Sequence, residues 1–125
     1  MTQRVVVVTG AASGNGLAIA ARQLAAGDFV VAFDVSEQAL AECLAEHWVP
    51  HRGAILTVAG DVSNEADVAR LIERAVAERG KVDVLINNAG ITGSQAATDV
   101  HSTTVDEFDR VMAVNVRGVF LGCHA

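Results

Sequence analysis

The segment Arg4-Val5-Val6-Val7-Val8-Thr9-Gly10-Ala11-Ala12-Ser13-Gly14-Asn15-Gly16-Leu17 constrains this chain more than any other. Four consecutive valines show no polar alternation, so both faces of the strand they form need cover, as in a parallel sheet sandwiched between helices. The strand breaks at once into a turn with glycines at 10, 14 and 16, and an alanine-rich helix follows. Without Cβ atoms that turn lets a ligand approach the backbone, and the helix N-terminus behind it offers unpaired N–H groups and a partial positive charge. A pyrophosphate suits such a cradle.

The rest of the chain alternates apolar strands with helical patterns, the signature of βαβ units. Strands are predicted near 4–9, 29–33, 54–59 and 82–87. The first helix runs over 14–26 and ends at Gly27; a second follows Ser36. A third follows Ser63-Asn64, with Glu65 and Asp67 in its first turn, and stops at Gly80. Its stripe of Val68, Leu71, Ile72, Ala75 and Val76 is expected to pack on the sheet. A last helix opens with the capping box Thr104-Val105-Asp106-Glu107 and puts Phe108, Val111, Met112, Asn115 and Val119 on one face. The fold class is therefore α/β, a Rossmann-type doubly wound parallel sheet with strand order 3-2-1-4 and its ligand crevice at the carboxyl ends of strands 1 and 4. No repeat, low-complexity tract or linker divides residues 1–125.

Composition narrows the partners. With 51% hydrophobic and 19% charged residues the chain can bury a core, and a net charge of −6 with scattered basic residues disfavours nucleic acid and acidic membrane surfaces. No apolar run is long enough to span a membrane, and the Met1–Val8 segment is too short for a signal peptide. Cys43 and Cys123 form no CxxC or metal spacing, which points to a reduced cytoplasmic compartment. His47 and His51 lie four apart, but Pro50 should end the second helix before His51 joins its face, so no metal site is expected. Trp48 reads as a cap on that helix end.

Asp34 closes the second strand, where a carboxylate can accept from both ribose hydroxyls of an adenosine. A 2′-phosphate about 4 Å from it would meet repulsion of roughly 4 kcal/mol per charge pair at an effective dielectric of 20, less solvent screening. Neither the glycine turn nor the residues after Asp34 carry an Arg or Lys to neutralise such a phosphate, so NAD is the expected cofactor over NADP.

Taken in order, Thr9-Gly10-x-x-x-Gly14-x-Gly16, Asp34, Asp61-Val62, Asn87-Asn88-Ala89-Gly90 and Asn115-Val-x-Gly118 resemble the motifs of the short-chain dehydrogenases/reductases, over the whole chain. The resemblance implies that Gly10, Ser13, Gly14, Asn15 and Gly16 form the pyrophosphate turn and that Asp34 holds the adenosine ribose. Asp61 and Val62 would bracket the adenine; the lesser alternative is that Asp61 merely precedes the third helix's cap. Asn88, Ala89 and Gly90 would let the backbone reach the cofactor riboses, while Asn87 reads as cofactor-side or architectural. Asn115 is the catalytic carry-over, an asparagine that bends its helix and holds a water in a proton relay; its alternative is a core hydrogen bond.

The resemblance also implies an NAD-dependent oxidoreductase that moves hydride between nicotinamide and a secondary alcohol or ketone, a homo-oligomer at full length. The family's working tyrosine and its lysine have no counterpart here. The sequence contains no tyrosine, and its single lysine, Lys81, precedes the fourth strand at the wrong end of the sheet. The chain also ends inside its last helix, so residues 1–125 are expected to be the NAD-binding portion of a longer enzyme, binding NAD with little turnover of their own. A non-catalytic dinucleotide module, or a half-domain that complements another chain, is the competing reading. Asn15 stands where the family usually has an apolar residue. The outer edge of the fourth strand and one face of the last helix are expected to lie bare and to favour association.

Overall fold

The computed structural model describes residues 3–91 and 99–125. Four parallel strands, β1 (Val5–Thr9), β2 (Phe29–Asp34), β3 (Ile55–Ala59) and β4 (Val84–Ile86), form one sheet in the order β3-β2-β1-β4. The register runs Val5↔Phe29 to Thr9↔Phe33, Val30↔Ile55 to Asp34↔Ala59, and Val6↔Val84 to Val8↔Ile86. The predicted winding is thus the observed one, and the sequence ends of β1 to β4 that carry the motifs all emerge on one side.

The valine run explains why the sheet is covered twice. Val6 and Val8 join Val30, Ala32, Leu24, Leu40 and Trp48 in one core cluster, while Val5 and Val7 join Phe29, Val31, Phe33 and Leu71 in another on the opposite face. Full burial of each such side chain stabilises by about 1.5–3 kcal/mol before the chain-ordering cost is counted. Trp48 is completely buried just past the end of α2 (Glu37–Glu46), as a helix-end cap would be.

Helix starts follow the predicted signals. Ser36 caps α2 by accepting from the Ala39 amide, and Asn64 caps α3 (Glu65–Arg79) by accepting from the Asp67 amide. Gly80 ends α3 in the left-handed conformation at φ 81°. The first helix, α1 (Gly14–Ala25), differs: its N-cap residue Ser13 makes no side-chain capping bond, and its first turn carries no acidic residue.

Three expectations need correction. Strand β4 is shorter than 82–87, because the Asn88 amide turns away to the Ile86 carbonyl and the Thr9 hydroxyl instead of continuing the ladder. On α3 Val68, Leu71 and Ala75 are buried, but Val76 is 45% exposed, at the margin of the stripe. The last helix is not one regular helix: α4 (Val105–Met112) leads into a π turn (Ala113–Arg117) and then α5 (Gly118–His124). Across that turn Gly118, Leu121 and Gly122 face the core, whereas Phe108, Met112, Val119 and Phe120 remain exposed. Among the described residues no helix is long and apolar enough to cross a membrane.

Candidate nucleotide site

A crevice of about 550 Å³ opens at the carboxyl ends of the strands. The β1–α1 turn contributes Gly10, Ser13, Gly14 and Asn15; β2 contributes Asp34; the loop after β3 contributes Asp61 and Val62; and the loop after β4 contributes Asn88, Ala89 and Gly90. Residues far apart in the chain thus share one cavity because four parallel strands end on the same side. Gly16 and Asn115 are the two expected site residues that do not line it.

Gly16 acts behind the wall. A Cβ there would collide with the Gly10 carbonyl and come within 2.6 Å of the Asn88 amide nitrogen, so this glycine lets helix, turn and β4 loop close on one another rather than facing a ligand. Gly10 is needed twice over, by its φ of +66° and by the 2.9 Å separation a Cβ would have from Ala89 Cα. Gly14, with φ +53°, lines the cavity and has open space where its Cβ would be. The α1 N-terminus therefore meets the crevice with neither side-chain cap nor acidic residue, the state in which its N–H groups can receive an anion.

Asp34 is held by its neighbours. One carboxylate oxygen accepts from the Ala12 amide at 3.0 Å, the other from the Ser36 amide at 3.1 Å. Each oxygen retains a lone pair, so the group is oriented and still able to accept two hydroxyls. The Cys43 thiol donates to the Ala12 carbonyl at 3.5 Å from behind the turn, and its burial, with Asp34 nearby, pushes its pKa up. It is a packed thiol, not a poised thiolate.

Both readings of Asp61 have a structural counterpart. Its Oδ1 accepts from the Ser63 amide and hydroxyl at 2.9 and 2.7 Å, closing a turn into α3, while the residue itself lines the crevice. Val62, only 9% exposed, packs beneath Gly118, where a Cβ would lie 2.9 Å from Val62 Cγ2.

The β1 and β4 loops are joined by Thr9, the residue that precedes the first glycine of the turn. Buried Thr9 accepts at Oγ1 from the Asn88 and Ala89 amides, both at 3.0 Å, and donates toward the Ile86 carbonyl at 3.4 Å. Asn88 returns two bonds from Nδ2 to the carbonyls of Thr9 and Gly10, at 3.2 and 3.3 Å. Asn87 faces away: its Nδ2 lies 3.6 Å from Cys123 Sγ, and its Oδ1 occupies the space a Cβ on Gly122 would need. Its role is architectural. Asn115 sits inside the π turn and bonds Ile91 with both ends of its amide, at 2.8 Å each. Phe33, Val35, Gly60, Ile91, Arg110 and Val114 also line the crevice without having been anticipated. For Arg110 and Val114 the available signal was their i, i+4 spacing on the helix that carries Asn115.

Lys81 pairs with Asp83 at 2.9 Å beside the amino end of β4, remote from the crevice. Among the described residues no group of three His, Cys, Asp or Glu could hold a metal ion.

Comparison with known proteins is decisive at this point, because a family model for short chain dehydrogenases matches residues 4–125. The chain belongs to the short-chain dehydrogenase family. It is 53% identical over 122 residues to 2-(R)-hydroxypropyl-CoM dehydrogenase of Xanthobacter autotrophicus, covering 98% of this chain and 49% of that protein. It is 42% identical to levodione reductase of Leifsonia aquatica, over 97% of this chain and 45% of that one. Among solved structures, a 3-ketoacyl-(acyl-carrier-protein) reductase from Brucella melitensis complexed with NADH superimposes with a TM-score of 0.88 at 39% identity, covering 97% of this chain and 48% of that one. A short-chain dehydrogenase from Burkholderia phymatum in complex with NAD gives a TM-score of 0.90 at 34% identity, covering 98% of this chain and 42% of that one. This short-chain dehydrogenase chain spans about half the length of the curated relatives it matches.

Proposed function

We propose that residues 1–125 are the NAD-binding portion of a dehydrogenase that transfers hydride between a nicotinamide and a secondary alcohol or ketone. The observation that carries the reading is Asp34, oriented by the Ala12 and Ser36 amides beside a helix N-terminus left open at Gly14. Together they form an acceptor pair for a ribose diol next to a donor cradle for a pyrophosphate, with Asn15 at the rim of the cradle.

The chemistry of the donor set fits a dinucleotide. Gly10, Ser13 and Gly14 offer backbone and hydroxyl donors to phosphate; Asp61 and Val62 offer an acceptor and an apolar wall to adenine; and Asn88, Ala89 and Gly90 bring small residues close to the riboses. When bound, NAD supplies the hydride acceptor or donor. Asn115 is the catalytic candidate in this portion: with its amide engaged at Ile91, it holds the π turn against the loop after Gly90. The acid/base pair is proposed to come from outside residues 1–125, since these contain no tyrosine and tie their single lysine to Asp83. That same observation favours a second reading, a non-catalytic dinucleotide-binding module or a half-domain that complements another chain. A cytoplasmic, homo-oligomeric enzyme acting on a small-molecule alcohol or ketone completes the proposal. The 53% identity to the hydroxypropyl-CoM enzyme makes 2-(R)-hydroxypropyl-CoM the first alcohol to assay.

Calorimetric titration of the protein with NAD and NADP tests the cofactor reading. NAD is expected to bind at least tenfold more tightly, about 1.4 kcal/mol of the Asp34 repulsion surviving solvent screening. Asp34→Ala is expected to reduce that ratio. Equal affinity in the wild type, or a preference for NADP, would refute it.

A further inference from the structure

The segments that form the glycine turn and follow Asp34 hold no cation, yet the folded crevice has one. Arg110 reaches it from α4, and the other charged residues lining the cavity are Asp34 and Asp61, both negative. Among the described residues the Arg110 guanidinium makes no hydrogen bond or ion pair, whereas Arg4, Arg70 and Arg117 are all engaged by protein partners. Arg110 lies one helical turn before Val114, which packs with Val62 and Ala89 in the core cluster beneath the crevice. Its side chain therefore rises from the same helix face that backs the Val62 wall.

We propose that Arg110 is a specificity-determining contact for the adenosine half of the cofactor, reaching the purine at the rim of the wall that Val62 and Val114 form. This rests on the dinucleotide reading of the crevice. A dinucleotide brings negative phosphates into a cavity already holding two carboxylates, so a cation at the rim lowers the cost of its entry. A planar guanidinium does so while stacking on a purine face, which an ammonium does less well.

The test uses the purified protein with ADP-ribose and nicotinamide mononucleotide as probes. Arg110→Met is expected to weaken ADP-ribose binding about 5- to 20-fold and to leave the mononucleotide unchanged; Arg110→Lys is expected to recover only part of the loss. In a turnover assay of the full-length protein KM for NAD rises while kcat holds. Unchanged ADP-ribose affinity in Arg110→Met overturns this inference alone. So does an equal loss for both probes with a lowered melting temperature, which marks a structural role. Wild-type protein that takes no ADP-ribose overturns the dinucleotide reading and this inference with it.

Discussion

Asn115 grips Ile91 by both backbone groups: its Oδ1 accepts from the Ile91 amide and its Nδ2 donates to the Ile91 carbonyl, each at 2.8 Å. The grip spans 24 residues and anchors the loop after β4 to the only π turn among the described residues. A π turn widens a helix by one residue and is rarely kept without a use. Here it carries contacts to two loops, since Arg117 at its end donates to the Ser63 carbonyl at 3.4 Å. One helical irregularity thus holds both the β3 and the β4 loops of the crevice.

Replacing Asn115 by Leu should cost about 1–3 kcal/mol of stability, because the Ile91 amide and carbonyl lose their partner together. Thermal unfolding reads the loss. In the dehydrogenase proposed above kcat should fall more than NAD affinity, since the residue stands behind the crevice wall and not in it.

The Thr9 hydroxyl provides a sharper contrast. Thr9→Val keeps the shape but leaves the Asn88 and Ala89 amides without their acceptor, at a cost of about 2 kcal/mol or more, whereas Thr9→Ser should stay within about 1 kcal/mol of wild type. Chemical denaturation of the two variants measures the difference. Equal stability would mean that water replaces the hydroxyl.

Two glycines of one turn should respond differently to alanine. At Gly14 the added methyl meets open space and only the positive φ is penalised, about 1–2 kcal/mol. At Gly16 the methyl meets the Gly10 carbonyl and the Asn88 amide, and overpacking of about 3 kcal/mol with loss of NAD binding is expected. Melting temperatures with and without NAD distinguish them.

Asp83 links pH to stability. Its carboxylate accepts from the Val5 amide at 2.7 Å and from Lys81, and these bonds hold its pKa below the usual aspartate value. A depressed folded-state pKa stabilises above the unfolded value of about 3.9, and the gain is lost as pH falls through the lower folded value. Stability should therefore decline on acidification below about pH 4, and Asp83→Asn should flatten that part of the profile. Asp99, lowered by bonds from Ser102, acts in the same direction.

The strand order and the helix caps at Ser36, Asn64 and Thr104 were legible in the sequence because each depends on local chemistry, and much of the crevice lining was legible through the resemblance of its motifs to those of the family. Consecutive valines need two covered faces, glycines mark tight turns, and Ser, Asn and Thr cap the helices they precede. Parallel strands then bring the motif-bearing ends together without further information. What the tertiary structure alone decided are the contacts made across the chain: Gly16 as a spacer against Asn88, Thr9 as the acceptor for two amides some 80 residues away, and the turning of Asn87 toward α5. The arrival of Arg110 in a crevice whose own segments carry no cation is of the same kind. Such contacts depend on the distance and angle at which separate elements pack, and a linear pattern of residue types carries neither.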